Sequence, residues 1–215
     1  MQYKNIEIKW LGHSGILILW NNMNIYIDPT KLTNFDKKAD LILITHGHWD
    51  HFSVEDIKKI ISSSTKIIGP SEVLSQSRQV KDGIDFEVCE PKKSFEFNDL
   101  KINCIEAYNL DKPFHPKGDS VGYILSLGGT TVYHAADTDI IPEMHEIKCD
   151  IALLPISGKF VMTAPEAAKA AEIINADLTI PIHWGNHIGT REDAEEFVKL
   201  CKEKGINALI LEKEI

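Results

Sequence analysis

The chain has 215 residues, 43% of them hydrophobic, and a formal net charge of -9, which allows one substantial core and leads us to expect a single domain over 1–215. The acidic balance disfavours nucleic acid or an anionic membrane as partner, because both need a basic surface. No apolar run approaches the roughly 20 residues of a membrane helix, the N-terminus lacks a signal peptide's apolar block, and Cys89, Cys104, Cys149 and Cys201 form no CxxC pair, so a soluble protein of the reducing cytoplasm is expected.

The predicted elements begin with three short strands, Ile6 to Trp10, Ile16 to Trp20 and Asn24 to Asp28. The turns Gly12-His13-Ser14-Gly15 and Asn21-Asn22 separate them into an antiparallel meander. Strand signals return at Leu41 to Thr45, Lys66 to Gly69 and Ile84 to Cys89. Two hairpins follow, Ser94 to Ala107 turning at Asn98-Asp99 and Val121 to His134 turning at Gly128-Gly129. Ile151 to Pro155, Leu178 to Ile182 and Ala208 to Leu211 complete the strands. Asp40, Asp150 and Asp177 each open an apolar strand, and each is followed by a helix cap: Ser53 with Asp56, Thr163 with Glu166, Thr190 with Asp193. In such boxes hydroxyl and carboxylate satisfy free backbone N–H groups. The first and third copies match further, as Ala39-Asp40-Leu41 against Ala176-Asp177-Leu178 and His46 against His183. Both histidines thereby fall just past a buried strand, where ligands collect in α/β folds.

The run Thr45-His46-Gly47-His48-Trp49-Asp50-His51 packs three imidazoles and a carboxylate into one turn between a strand and a capped helix. Neutral imidazole and carboxylate suit zinc, iron or manganese, and alternate residues of an extended turn can point toward the same ion. Solvated surface histidines are the plain alternative. The other histidines invite plainer readings: His13 lies in a glycine-flanked turn, His134 at a strand end reads as core or support, His187 reads as an exposed loop residue within reach of substrate, and His145 looks ordinary. Asp28 before Pro29 is either a turn former or a residue that orients a metal ligand.

The motif resembles that of the metallo-β-lactamase superfamily, and the resemblance covers essentially the whole chain. Gly12-His13-Ser14, Ile27-Asp28-Pro29, His134-Ala135-Ala136-Asp137-Thr138 and Pro181-Ile182-His183 support it in order. They are similar to the small single-domain branch that includes ascorbate-phosphate lactonases. The resemblance implies an α/β fold, a four-layer αβ/βα sandwich. It implies two divalent transition-metal ions, zinc before manganese or iron, with His46 and His48 on one, Asp50, His51 and His183 on the other, and Asp137 bridging. A further histidine is expected on the first ion, and His115 in Pro113-Phe114-His115-Pro116 is the candidate. Asn109 stands where related sequences often carry a histidine, so His115 and Asn109 compete for that role. Ala136 replaces the glycine that usually precedes the bridging aspartate, restricting the turn slightly.

The expected activity is hydrolysis of a small ester, lactone or phosphoester by water activated between the ions, with Asp50 binding metal and orienting the nucleophile. His13, Asp28, Asn109 and His187 are candidates for substrate contact or ligand support. The alternatives are a metal-dependent nuclease of the ribonuclease Z type, a diiron redox enzyme and a metal-stabilised module without catalysis. The acidic charge weighs against the nuclease; His48, where the redox enzymes usually carry glutamate, and the short chain weigh against the redox enzyme. A small-molecule substrate is expected, and self-association is left open.

Overall fold

The computed structural model describes residues 1–33, 37–81 and 83–214. The chain divides into two compact units, Met1–Glu90 with Glu212–Ile215, and Pro91–Leu211. Among the described residues no helix is long and apolar enough to cross a membrane.

The first unit holds a seven-stranded sheet whose spatial order follows the chain. Strands β1 (Gln2–Tyr3), β2 (Ile6–Gly12), β3 (Gly15–Trp20) and β4 (Met23–Ile27) form the expected antiparallel meander. Asn21 and Asn22 turn the second hairpin with φ of 47° and 62°, a left-handed conformation that asparagine tolerates better than most residues. Strands β5 (Leu41–Leu43), β6 (Lys66–Gly69) and β7 (Asp85–Val88) then add in parallel. Their crossovers carry helix α1 (Val54–Ile60) and helix α2 (Ser71–Ser77). Ile57 and Ile60 of α1 and Val73 of α2 enter one buried cluster with Tyr26, Ile42, Phe52 and Ile67. Helix α2 was not foreseen. Its N-cap is Pro70, without a side-chain cap hydrogen bond, so the usual start signal is missing.

The second unit repeats the plan. Strands β8 (Ser94–Phe97), β9 (Leu100–Ala107), β10 (Ser120–Ser126) and β11 (Thr131–His134) are antiparallel, and β12 (Ile151–Pro155) and β13 (Leu178–Ile182) add in parallel. Both hairpins turn at the predicted Asn98-Asp99 and Gly128-Gly129. Helix α3 (Ala164–Ile174) packs on β12 and on helix α4 (Arg191–Glu203). Its buried alanines, Ala164, Ala167, Ala168, Ala170 and Ala171, present a smooth face that permits close approach. The strand expected at Ala208–Leu211 does not form. The segment makes one bridge, Thr179 with Ala208, flanked by hydrogen bonds of 2.9 and 3.0 Å to either side of Thr179. A single bridge gives no ladder, and Leu209 stays 41% exposed.

The two units correspond bond by bond at one place. Asp40 accepts from the Asn24 N–H at 2.8 Å and Asp150 from the Thr131 N–H at 2.7 Å. Each carboxylate thus ties the start of a parallel strand to the preceding antiparallel one. The structural partner of Asp40 is Asp150, although the sequence around Asp177 resembles that around Asp40 more closely.

Candidate metal centre

Every candidate residue lies at a turn or just beyond the carboxyl end of a strand, where the backbone leaves the ladder and side chains can gather. In the first unit, Asp28 follows β4, and Thr45 to His51 follow β5. Phe52, buried at 4% exposure, anchors the far end of that loop in the core.

Asp28 is fully buried and organises the motif. Its Oδ1 accepts from the Thr45 N–H at 2.8 Å and its Oδ2 from the Thr45 hydroxyl at 2.6 Å, while His51 Nδ1 lies 2.7 Å from Oδ2. An ionised carboxylate only accepts, so the proton of His51 sits on Nδ1 and Nε2 keeps its lone pair. The Thr45 hydroxyl, having donated to Asp28, accepts from His46 Nδ1 at 2.9 Å. His46 Nε2 is thereby left as a donor atom toward an ion, 3.0 Å from His48 Nδ1. Two nitrogens at roughly 2.0 Å from one tetrahedral ion stand roughly 3.3 Å apart. The His46 and His48 rings fit that requirement with a small adjustment.

One ligand atom from each of His13, Asp50 and His51 lies within 4.8 Å of the others. His13 Nε2 is 3.0 Å from Asp50 Oδ2, and the Trp10 indole N–H donates to the His13 carbonyl at 2.9 Å. His13 is therefore more than a turn residue, because it holds the Asp50 carboxylate. Glu72 of α2 accepts from the Gly47 N–H. A Cβ at Gly47 would come to 3.0 Å from that carboxylate, so a larger residue there would displace Glu72. Thr45 and Glu72 have no signal in the sequence, since a threonine just past a strand and a glutamate in a helix without a side-chain cap carry no ligand pattern.

In the second unit Asp137 Oδ2 lies 2.9 Å from His183 Nε2 and 3.4 Å from His115 Nε2. Both imidazoles are held from behind. The Ser157 hydroxyl sits 2.7 Å from His183 Nδ1, a contact no motif announced. Asn109 Oδ1 accepts from His115 Nδ1 at 3.0 Å and from its backbone N–H at 3.1 Å, and Asn109 Nδ2 donates to the Phe160 carbonyl at 3.0 Å. The amide is committed at both ends, so Asn109 positions His115. His134 is fully buried and its Nδ1 accepts from the Ala136 N–H at 3.2 Å, a supporting role. His187 is exposed, with its ring centroid 6.5 Å from that of His183. His145 is exposed on the 3-10 turn Pro142–Glu146.

The loop from Asn109 to Ser120 is stapled at both ends. Lys112 pairs with Asp139, whose other oxygen accepts from the Leu110 N–H at 2.9 Å. Lys117 donates to Glu143 at 2.7 Å and lies 4.5 Å from the Tyr108 ring centroid, while the Tyr108 hydroxyl donates to Glu143 at 3.0 Å. Burial and the Glu143 carboxylate push the Tyr108 phenol up, so it stays a donor.

Four of the eleven non-glycine residues with positive φ among the described residues lie in or beside this cluster: His13, Asp28, Ala136 and His183, with φ of 55°, 46°, 59° and 59°. A non-glycine residue there costs about 1 kcal/mol or more and persists only where surroundings impose it. Burial pushes the Cys149 thiol up to about 12 and the Cys201 thiol up to about 11, so neither is an activated nucleophile.

Residues 7–183 match the family model described as Beta-lactamase superfamily domain. The chain belongs to this family. It is 32% identical to a UPF0173 metal-dependent hydrolase of Saccharolobus solfataricus over 96% of both chains. A Parabacteroides distasonis protein of known crystal structure matches with a TM-score of 0.85 and 32% identity, covering 97% of this chain and 94% of that one. Igni18, a metallo hydrolase of Ignicoccus hospitalis, shares the fold with a TM-score of 0.80 at 24% identity, over 98% of this chain and 96% of its own. The protein is a metal-dependent hydrolase of the metallo-β-lactamase superfamily, with that superfamily's mixed α/β fold.

Proposed function

We propose that the protein hydrolyses a small ester, lactone or phosphoester with the help of two divalent transition-metal ions, zinc before manganese or iron. His46, His48 and His115 would hold one ion, Asp50, His51 and His183 the other, and Asp137 would serve both. The observation that carries the reading is the common backing of four imidazoles. His46, His51, His115 and His183 each have Nδ1 engaged by an oxygen, of Thr45, Asp28, Asn109 and Ser157. Fixing Nδ1 aims Nε2 and makes it the better ligand, the arrangement seen behind metal-bound histidines in general. Neutral imidazoles and carboxylates are the donor set that zinc, manganese and iron accept.

Bound divalent ions would polarise the electrophilic carbon or phosphorus and acidify water near neutral pH. The chain's own part is orientation. Asp50, held by His13, orients the attacking water by hydrogen bonding. Asn109 and Ser157 hold the rings of His115 and His183 against Asp137. The net charge of -9 favours a small substrate over a polynucleotide, and four free thiols suit a reducing cytoplasm.

Metal analysis of protein made without chelator, followed by turnover of lactones and phosphodiesters, tests the reading. Two ions per chain and turnover lost on chelation are expected. A single ion at saturation would count against the pair, and full activity after exhaustive chelation against the whole proposal.

A further inference from the structure

Four large hydrophobic side chains stand exposed among the described residues: Trp49 at 63%, Leu110 at 56%, Leu209 at 41% and Phe114 at 40%. An exposed leucine alone means little, but placement can. Trp49 is inside the metal motif. Leu110 and Phe114 are in the loop that carries His115. Only Leu209 lies away from the candidate ligands. In the second unit the Phe114 ring meets Phe160 edge to face, with centroids 4.7 Å apart. Asn109 connects these groups to the ligand, since it bonds both His115 and the Phe160 carbonyl. The staples Lys112 with Asp139 and Lys117 with Glu143 hold the loop. Phe114 and Leu110 are therefore presented to solvent on a fixed support beside His115.

We infer that Leu110, Phe114 and Phe160 form a shelf for an apolar acyl or aryl group of the substrate. The inference rests on the hydrolase reading above and narrows its substrate class. Small-molecule sites are lined mainly by apolar and aromatic side chains, with few polar groups fixing orientation. Here the polar groups are the candidate ligands, and the aromatic pair supplies the apolar wall. Lys159 lies 5.0 Å from the Phe160 ring centroid. That ammonium lies at the ring's face, where its charge also attracts an anionic group brought near the shelf. The class is thus an ester, lactone or phosphoester with a chain of several methylenes or an aromatic ring.

Binding tests the shelf without requiring turnover. Zinc-loaded protein is titrated calorimetrically with acetate, butyrate and octanoate, whose common carboxylate differs only in its tail. Octanoate should bind at least tenfold more tightly than acetate, because each buried methylene contributes about 0.8 kcal/mol. Phe114→Ala and Phe160→Ala should remove most of that difference while leaving acetate affinity and zinc content unchanged. Equal affinity for all three acids in the wild type overturns the shelf. So does unchanged chain-length dependence in both variants, or a change confined to oligomeric state, which would assign the patch to a second copy of the chain. Failure to take up zinc, manganese or iron would instead refute the metal reading, and metal content is measured first to separate the two.

Discussion

Asn109 shows how one side chain can change role between sequence and structure. Named beside His115 as a rival ligand, it accepts from both the ring and the backbone N–H of His115, contacts that suit a positioning role. On the proposed metal reading, Asn109→Ala should weaken zinc binding by about 10-fold, the size of effect typical of a group behind a ligand. Asn109→Asp keeps the acceptor but loses the donor to the Phe160 carbonyl, so it should restore only part of the affinity. Zinc titration of both variants checks this, and unaltered binding in Asn109→Ala would remove the positioning role. Ala136 carries the second residue-scale prediction. At φ 59° it is strained where glycine is not, so Ala136→Gly should be neutral or stabilising by up to about 1 kcal/mol. Ala135→Gly, outside the left-handed region, should lose about 1 kcal/mol. Urea unfolding distinguishes them, and equal losses would refute the strain argument.

At the scale of elements, the helix caps divide into two kinds. Thr163 with Glu166 and Thr190 with Asp193 close reciprocal boxes as expected. At α1 only half the box behaves so: Ser53 accepts from the Asp56 N–H, but the Asp56 carboxylate takes the Lys31 N–H at 2.6 Å and the Leu32 N–H at 3.1 Å. It ties the helix to the turn after Asp28. Burial would raise the Asp56 pKa, yet hydrogen bonds from Lys59, Ser53 and Lys31 outweigh it and hold the carboxyl below its usual range. A depressed folded pKa means stability that is present above the unfolded pKa near 4 and is lost as pH falls through the folded value. Asp56→Asn should therefore cost about 2 kcal/mol at pH 7 and progressively less below about pH 4. Denaturant titrations across that range check it, and a loss independent of pH would contradict it. Thr190→Ala should cost about 1 kcal/mol at pH 7.

For the whole molecule, bound metal should act as a folding ligand. Ions that bind only the native chain at about 1,000 times their Kd contribute about 4 kcal/mol. For a chain of this size that raises Tm by about 10 °C. Scanning calorimetry with and without chelator measures it, and identical transitions would mean that the donor set does not hold the ions. The two units also share a plan, antiparallel strands followed by parallel ones, with Asp40 and Asp150 in equivalent bonds. Exchanging either aspartate for alanine should unpair the start of one parallel strand, β5 or β12, and leave the other unit's sheet intact.

Local chemistry determined much of this protein in the sequence alone. Alternating apolar residues and Asn or Gly turns marked the strands. Hydroxyl and carboxylate pairs marked three helix starts, and HxHxDH marked a ligand cluster whose residue types suit few other purposes. Those signals are legible because each depends on neighbours within a few positions. Tertiary structure decided the rest. That Asp28 holds both Thr45 and His51, that Ser157 backs His183, and that Asn109 bonds His115 are contacts between residues 6 to 26 positions apart along the chain. The short helix α2 had no cap to announce it, and Ala208–Leu211 had strand-like side chains but only Thr179 to pair with. A residue's type fixes which hydrogen bonds it can make. Only the folded backbone fixes which of them it does make.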